Sequence, residues 1–272
     1  ELTRKVVFLR PLGLRLIRTF VDDSLRHHVE IRDRKINAQE IYDLYQNNKT
    51  KGNSNKILVV CNTIRKAQEL YEKLKDDLAG DNIHILHSRY IKADRGKLEK
   101  EILEFGKTYD DEGNLDCQSG IWISTSIVEA SLDIDFDYLF TELQELNSLF
   151  QRFGRCNRKG KKSVESPNCI VYTTIDAKYL SNTGGFIDST LFKLSKEALK
   201  EGEGLLSEAK KIGLLDKYFT TEKVRRSDHY RRYHDIRKAI DEIQPYEFDK
   251  KTRSIVECKL IISSEIPSGT VG

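Results

Sequence analysis

The segment FQRFGRCNRKG, residues 150–160, places a glutamine and three arginines around a glycine. If the segment is helical, Gln151, Arg155 and Arg158 fall within about 60° of one another, opposite an apolar face. A face of permanently charged guanidinium groups suits the oxygens of a phosphoryl group. The same pattern also fits an ordinary amphipathic surface helix with a solvated basic face, so the neighbouring segments must decide between the two.

A second polar segment, ISTSIVEASLDIDFD, lies just before the first one. Its Thr125 and Ser126 follow a predicted strand, where hydroxyl and backbone groups can donate hydrogen bonds to a phosphate. Asp133 and Asp135 cannot bind a phosphate directly, but a carboxylate there can accept from a sugar hydroxyl or orient an arginine. Capping and turn formation is the alternative role for both carboxylates.

The elements that would position these groups alternate between apolar runs and amphipathic stretches. Runs that are apolar throughout predict buried strands, at residues 56–61, 83–86, 120–124, 138–140 and 169–174. Helical periodicity predicts helices over residues 63–78 and 94–105. This alternation is typical of a mainly parallel β-sheet flanked by helices, an α/β fold in which ligands gather at the carboxyl ends of the strands.

Beyond residue 175 the pattern becomes mainly helical. We expect helices over residues 191–212, where two glycines weaken the pattern, and over residues 228–243. The basic, tyrosine-containing stretch at residues 225–238 suits either packing on the main lobe or stacking on a single nucleic-acid strand, and we favour packing.

Composition excludes several classes of protein. The 272 residues are 38% hydrophobic, enough for a buried core, and no apolar run approaches the roughly 20 residues that cross a bilayer. A net charge of +3 leaves anion binding to local clusters. The five cysteines lack the spacing of a zinc or redox motif, so we expect reduced thiols, no metal site and a cytoplasmic protein. The absence of methionine indicates a piece of a longer protein.

The strings STSIVEASLDIDFD and QRFGRCNR resemble motifs V and VI of superfamily-two helicases. Together with ILVVCNTIRKAQELYEKL and LHSRYIKADRGKLEKEIL, they make residues 56–159 similar to the second RecA-like lobe of the CRISPR-associated Cas-three helicase. This resemblance implies an ATP-driven 3′ to 5′ translocase on single-stranded DNA in prokaryotic type I CRISPR interference. Such proteins are usually joined to a metal-dependent HD nuclease and are recruited by the Cascade surveillance complex.

The resemblance also implies roles for individual residues around a nucleotide. Arg155 and Arg158 would act as arginine fingers on the γ-phosphate, with Gln151 close to it. The further nucleotide contacts that it implies are Asp133 or Asp135 near the ribose, and Arg152.

The implied nucleic-acid path is lined by Asn62, Thr63, His87, Ser88, Arg89, Arg95, Thr125 and Ser126. Hydroxyls, amides and isolated arginines suit such a path because they contact phosphates without requiring a base sequence. Taken alone, His87 also fits a hydrogen-bonded histidine at a strand end, and Arg95 a salt bridge on a helix face.

The chain lacks a G-x-x-x-x-G-K-[ST] phosphate loop and a Walker-B-like acidic strand end. We therefore expect ATP and Mg²⁺ to be bound mainly by a first RecA-like lobe outside this chain, and the chain alone to be inactive. His234-Asp235 is a single pair and too little for an HD nuclease. The expected partners are single-stranded DNA, the first lobe, the nuclease domain where it is fused, and Cascade, without a membrane.

These observations divide the chain into three predicted parts. Residues 1–36 would be strands or a linker from an upstream lobe, residues 37–175 the RecA-like lobe, and residues 176–272 a linker helix with a partial accessory region. Two alternatives remain open. The chain could belong to another superfamily-two translocase that acts on RNA or duplex DNA, or it could be a non-catalytic helicase-like module that binds nucleic acid or a partner.

Overall fold

The computed structural model describes residues 3–10, 13–20, 23–51, 54–129 and 132–242. Near the start of the chain, strands β1 (Thr3–Arg10) and β2 (Gly13–Phe20) pair with each other in an antiparallel, two-stranded sheet. No helix among the described residues has the length and apolar character that a membrane span requires.

Seven further strands form the main sheet. In chain order they are β3 (Leu25–Arg32), β4 (Asn55–Val60), β5 (Ile83–Leu86), β6 (Ser119–Ser124), β7 (Tyr138–Glu142), β8 (Cys169–Tyr172) and β9 (Gly204–Ser207). Their order across the sheet is β5-β6-β4-β7-β8-β3-β9. All neighbouring strands are parallel except β3 and β9, which are antiparallel. The predicted mainly parallel sheet is confirmed.

The central strand β4 shows why the sheet needs cover on both faces. Leu58 and Val60 belong to one hydrophobic core, and Ile57 and Val59 belong to the other, because successive side chains of a strand point to opposite faces. All four side chains are fully buried. A strand without a polar face is stable only between two layers of helices.

The helices supply these layers. On one face lie α1 (Ala38–Thr50) and α2 (Ile64–Asp77), and the core on the other face includes residues of α3 (Lys92–Phe105), α4 (Leu146–Phe153), α5 (Ser189–Gly202) and α6 (Glu208–Tyr218). Two more helices follow, α7 (Thr221–Val224) and α8 (Asp228–Glu242). The predicted helical layers and the mainly helical extension are thus present.

The sheet extends beyond the predicted limits of the lobe. Strand β3 precedes residue 37 and pairs with β8, and β9 follows residue 175 and pairs with β3. Leu206 of β9 and Leu214 of α6 are buried in the same core as the central strands. The division at residues 37 and 175 stays a prediction, but the hydrophobic core runs across both limits.

Two expectations for the C-terminal part were wrong. The helix expected over residues 191–212 is interrupted by β9, which begins at Gly204, a residue with a φ of +83° that favours glycine. Helix α8 does not bury its apolar side chains on the lobe, because Tyr233, Ile236 and Ile240 are each more than half exposed.

Replacing Leu206 by alanine tests whether β9 is part of the lobe's core. Leu206 is fully buried, so the Leu206→Ala variant should lose about 2–5 kcal/mol of the free energy of unfolding, measured by urea denaturation. Its neighbour Leu205 is 45% exposed on the same strand, and Leu205→Ala is the matched control, with an expected loss below about 0.5 kcal/mol. Equal, small losses would contradict a core that includes β9.

Candidate functional site

Most of the predicted nucleic-acid contacts meet at one edge of the main sheet. Residues 62–63 follow β4, residues 87–89 follow β5 and residues 125–126 follow β6. These three strands are neighbours in the order β5-β6-β4, and they are parallel, so their carboxyl ends lie at the same edge. The structure therefore brings together seven residues that are separated by up to 64 positions in the sequence.

The seven strand-end residues differ in exposure. Ser88, Arg89 and Ser126 are exposed and can reach a ligand, whereas Thr125 is 7% exposed and lies largely beneath the surface. Thr63 is half-buried, and its hydroxyl accepts a hydrogen bond from the Lys66 amide (3.2 Å), which caps α2. The exposed hydroxyls and the Arg89 guanidinium form the accessible part of this edge.

His87 is buried at the end of β5. Its ring stacks on Tyr90, with 4.5 Å between the ring centroids, and its Nδ1 has no hydrogen-bond partner among the described residues. Burial lowers the pKa of His87, so the neutral ring is favoured. The ring is thus held in place by its packing against Tyr90.

Arg95 lies in the first turn of α3, the helix that follows β5. Its Nε pairs with the Glu99 carboxylate at 3.1 Å, one helical turn further along. This contact agrees with the simpler alternative for Arg95, a salt bridge on the face of a helix.

Arg152 occupies the interior, which corrects the expectation that it contacts a nucleotide. Its side chain is fully buried, and Nε pairs with Glu129 at 2.8 Å. Its Nη1 and Nη2 donate to the Asn62 and Gln144 side chains, the Thr141 hydroxyl and the Glu142 carbonyl, at 2.7–3.2 Å. All three nitrogens of this guanidinium make hydrogen bonds within the protein. Arg152 therefore has a structural role and does not face a ligand.

Two further residues belong to this internal network. The Asn62 side chain accepts from Arg152 and donates to the Leu143 carbonyl (2.8 Å), so its amide is engaged within the protein. Glu129, the ion-pair partner, was not singled out from the sequence. A buried arginine requires a carboxylate nearby, but the sequence alone did not indicate that Arg152 is the buried one.

The residues that carry the other two arginines form a turn. Helix α4 ends at Phe153, so the expectation of one continuous helical face through residue 158 was wrong. Asn157 has a φ of +45°, which asparagine tolerates better than most residues, and its side chain binds the backbone of Arg26 and Lys162. We call residues 153–158 the arginine loop. The turn, and not a helix, brings Arg155 and Arg158 close together.

Arg155 is half-buried against the 3-10 turn Ser126–Glu129, which follows β6. Its Nε donates to the Val128 carbonyl (2.9 Å) and its Nη2 to the Glu129 carbonyl (2.6 Å). Burial and the nearby Arg158 lower the pKa of Arg155, because both disfavour its charge. Its Nη1 has no partner among the described residues, and remains available to a ligand.

Arg158 and the two predicted aspartates lie together. The Arg158 Nε pairs with Asp133 at 2.8 Å, and both side chains are partly exposed, by 35% and 72%. Asp135 is buried, and its two carboxylate oxygens accept from the Arg158 amide (2.8 Å) and the Thr108 hydroxyl (2.9 Å). The contact of Asp135 with a backbone amide agrees with the alternative role, turn formation, and the ion pair of Asp133 agrees with orientation of an arginine. Gln151 is exposed at the end of α4.

The described residues contain no group of three or more His, Cys, Asp or Glu side chains that could hold a metal ion.

Beside the arginine loop, a surface cleft of about 270 Å³ is lined by residues of two segments, 106–109 and 133–135, together with Lys159. The cleft combines two lysines, Lys107 and Lys159, with carboxylates and hydroxyls.

The part of the chain that carries this geometry matches a known family. Residues 53–161 match the model described as "CRISPR-associated nuclease/helicase Cas3, C-terminal", and they span β4 to β7, α4 and the arginine loop. The chain contains a Cas3-like C-terminal domain.

Individual relatives of the Cas3-like domain agree with this match. The CRISPR-associated nuclease/helicase Cas3 of Methanothermobacter thermautotrophicus is 30% identical over 202 residues, which are 73% of this chain and 22% of that protein. Its Streptococcus thermophilus counterpart is 39% identical over 101 residues, 37% of this chain and 10% of that protein. The chain therefore spans less than a quarter of the length of these relatives.

A solved structure shares the fold. Cas3 of T. fusca in the crystal structure of its ATP form aligns with a TM-score of 0.60 and 17% identity, over 87% of this chain and 29% of that chain. At that identity the likeness concerns the fold. It extends well beyond the Cas3-like domain, in agreement with the main sheet, which includes strands on both sides of residues 53–161.

Replacing Arg152 tests its internal role. Arg152→Ala should lower the free energy of unfolding by about 3–5 kcal/mol, because it leaves the nearly buried Glu129 carboxylate without its partner. Arg158→Ala removes a partly exposed ion pair and should cost at most about 1 kcal/mol. Chemical denaturation of both variants measures the difference. A loss for Arg152→Ala no greater than for Arg158→Ala would contradict this assignment.

Proposed function

We propose that the chain is the second RecA-like lobe, with part of a C-terminal accessory region, of an ATP-dependent 3′ to 5′ single-stranded DNA translocase in type I CRISPR interference. The observation that carries the proposal is the arginine loop, which holds two partly accessible guanidinium groups together within the Cas3-like domain. The named relatives, nuclease/helicase Cas3 proteins, support the helicase assignment.

The two arginines fit the phosphate end of a nucleotide. Bound ATP would supply the phosphoryl group whose transfer to water drives translocation. Arg155, anchored at two of its nitrogens, presents Nη1 in a fixed position, and Arg158 can exchange the Asp133 carboxylate for a phosphoryl oxygen. Because Asp133 is 72% exposed, that ion pair is weak in water and the exchange costs little. Positioned guanidinium groups stabilise the charge that spreads over the transferring phosphoryl oxygens.

The remainder of the nucleotide site must come from elsewhere. The sequence has no phosphate-cradling loop, so ATP and Mg²⁺ would be held mainly by the first RecA-like lobe. A structural relative in its ATP form supports nucleotide use by this fold. In the proposed cycle, closure of the two lobes brings Arg155 and Arg158 to the γ-phosphate, and opening after hydrolysis shifts the grip on the strand.

The single-stranded DNA would run along the edge of the main sheet at which the carboxyl ends of the parallel strands lie. Ser88, Arg89 and Ser126 are exposed there on neighbouring strands, and they can contact backbone phosphates without reading bases. Thr63 and Thr125, less exposed, would support these contacts from beneath. Asn62, another predicted path residue, is engaged within the protein, and Arg95 pairs with Glu99 on α3.

Partners and the division of the chain belong to the same proposal. Residues 37–175 would form the main body of the lobe, with residues 1–36 entering it and residues 176–272 continuing into the accessory region. Cascade would recruit the complete protein in the prokaryotic cytoplasm, and an HD nuclease, where fused, would cut the strand. Another solved relative of the fold, part of a CRISPR RNA-guided surveillance complex in its pre-nicking state, supports recruitment (TM-score 0.53, 19% identity, 84% of this chain and 28% of that chain).

Replacing Arg158 by alanine tests the proposed role of this arginine at the nucleotide. In the complete protein, Arg158→Ala should reduce DNA-stimulated ATP hydrolysis by about 10³-fold or more, because the transition-state charge loses a fixed cation. Affinity for single-stranded DNA should remain within about twofold. The measurements are steady-state phosphate release and fluorescence anisotropy with a labelled oligonucleotide. The matched control is Arg225→Ala, which removes an exposed arginine outside the Cas3-like domain.

Loss of DNA binding in Arg158→Ala, with ATP turnover intact, would assign this arginine to the DNA-binding path and not to the nucleotide site. Hydrolysis by the 272-residue chain alone would contradict the half-site proposal. Absence of turnover in the complete wild-type protein, with strand binding retained, would favour the non-catalytic module. Equal stimulation by RNA or duplex DNA would favour another type of translocase.

The opposite behaviour is expected at the sheet edge. Arg89→Ala should weaken binding of single-stranded DNA and reduce the slope of log affinity against log salt by about 1, since one phosphate contact is lost. At saturating DNA, kcat for ATP should change little. Anisotropy titrations between low and moderate salt measure the slope. An unchanged slope would show that Arg89 does not contact the single-stranded DNA.

A further inference from the structure

A cluster of four polar side chains, two of them buried and two partly exposed, lies against the arginine loop. Arg26 and His27 come from β3, and Glu208 and Lys211 come from α6. All four lie outside residues 53–161, the part of the chain that matches the Cas3-like family. His27 and Lys211 are 1% and 4% exposed, respectively, so they contact the loop from within the protein.

His27 connects the cluster to the loop. Its Nε2 is 2.7 Å from the Phe153 carbonyl and 3.0 Å from the Cys156 carbonyl, and Lys211 Nζ is 3.1 Å from its Nδ1. Because Nδ1 must accept from the ammonium group, the ring proton is on Nε2, which donates to the two carbonyls. Burial and the charge of Lys211 lower the pKa of His27 to about 3, so this neutral form persists at neutral pH.

Arg26 holds the far end of the loop. Its Nη1 donates to the Arg158 carbonyl at 2.9 Å, and its own carbonyl accepts from the Asn157 side chain at 3.0 Å. Glu208 joins the two basic residues, because its Oε1 accepts from Arg26 Nη2 and from Lys211 Nζ, both at 2.7 Å. The cluster therefore binds the backbone at three residues of the loop, namely Phe153, Cys156 and Arg158.

Stability alone does not account for these groups. Burial lowers the pKa of Lys211, which shows that its charge is held at a desolvation cost. A well-packed apolar residue in place of a buried ionic group is often as stable or more so, and Lys211 already lies over the rings of Phe150 and Phe153. What the polar cluster adds is a fixed position for three carbonyl oxygens of the loop.

We propose that Arg26, His27, Glu208 and Lys211 are positioning residues that set the geometry of Arg155 and Arg158 for phosphoryl transfer. The inference rests on the proposed function of these two arginines. It gives the segments on either side of the Cas3-like domain a role in catalysis, although none of the four side chains touches the nucleotide. A displacement of about 1 Å at a catalytic group can cost about 10²-fold in rate.

The test uses the complete protein. It compares a variant that keeps the hydrogen bonds of His27 with variants that remove them. His27→Gln retains a donor for the carbonyls and an acceptor for Lys211, so its kcat should stay within about threefold of wild type. His27→Met and Lys211→Met remove the connection, and each should lower kcat for DNA-stimulated ATP hydrolysis by about 10²-fold. The KM for ATP and the affinity for single-stranded DNA should stay within about threefold. Lys210→Met, a partly exposed neighbour on α6, is the matched control.

Hydrogen exchange provides a readout that is independent of activity. The Asn157 amide donates to the Phe136 carbonyl (2.8 Å) and the Gly160 amide to the Asn157 carbonyl (2.9 Å). In Lys211→Met, both amides should exchange at least about tenfold faster, whereas the amides of α2 should exchange as in wild type.

The outcomes separate the two proposals. Faster exchange in the loop with an unchanged kcat would overturn this inference and leave the proposed function intact. Equal losses of kcat in His27→Gln and His27→Met, with unchanged exchange in the loop, would also overturn it, because they indicate a general structural effect. Undiminished hydrolysis in Arg158→Ala would overturn the proposed function, and the catalytic role of the cluster with it.

Discussion

The buried guanidinium of Arg152 is the interaction on which the functional surfaces of the lobe depend. A charge in the interior is stable only when it is paired and its hydrogen bonds are complete. Its partners, Glu129, Asn62 and Gln144 among them, follow the ends of three neighbouring strands, β6, β4 and β7. These segments belong to the carboxyl edge of the sheet, and the one after β6 supplies the carbonyls that Arg155 contacts. One buried charge thus fixes the carboxyl edge of the sheet, proposed to bind single-stranded DNA, and the arginine loop relative to each other.

The loop itself is defined by the backbone contacts that a helix would not allow. In a continuous helix, the carbonyls of residues 153–158 would be engaged in helical hydrogen bonds. Because α4 ends at Phe153, the loop carbonyls do not take part in α-helical hydrogen bonds. The Phe153 carbonyl accepts from the Cys156 amide and from His27, and the Arg158 carbonyl accepts from Arg26, while the Arg158 amide donates to Asp135 on the other side. The turn therefore gives a short segment anchors on two sides, which is what a group with a fixed catalytic geometry needs.

The sequence predicted the features that depend on local pattern. Apolar runs revealed the parallel strands from β4 to β8, and strand ends revealed the shared edge near Thr125. Strands β3 and β9 were not placed in the sheet, because LRHHVEIR is largely polar, GLLS has only four residues, and the pairing of both depends on distant residues. The sequence also did not show that Arg152 is the buried arginine and that Arg155 and Arg158 are the accessible ones. Three arginines in eight residues look alike until the end of α4 and the position of Glu129 decide which one is buried.

Burial separates the roles of these arginines. Arg152 is fully buried and its ion pair is permanent, since an unpaired charge in the interior costs several kcal/mol. Arg158, at 35% exposure, pairs with a carboxylate that is 72% exposed, so water can replace either partner at little cost. Arg155 lies between these extremes, anchored through Nε and Nη2 with Nη1 available. The proposed closure on a nucleotide in each cycle would use this gradation, because a fixed guanidinium provides the geometry and an exchangeable one provides reversibility.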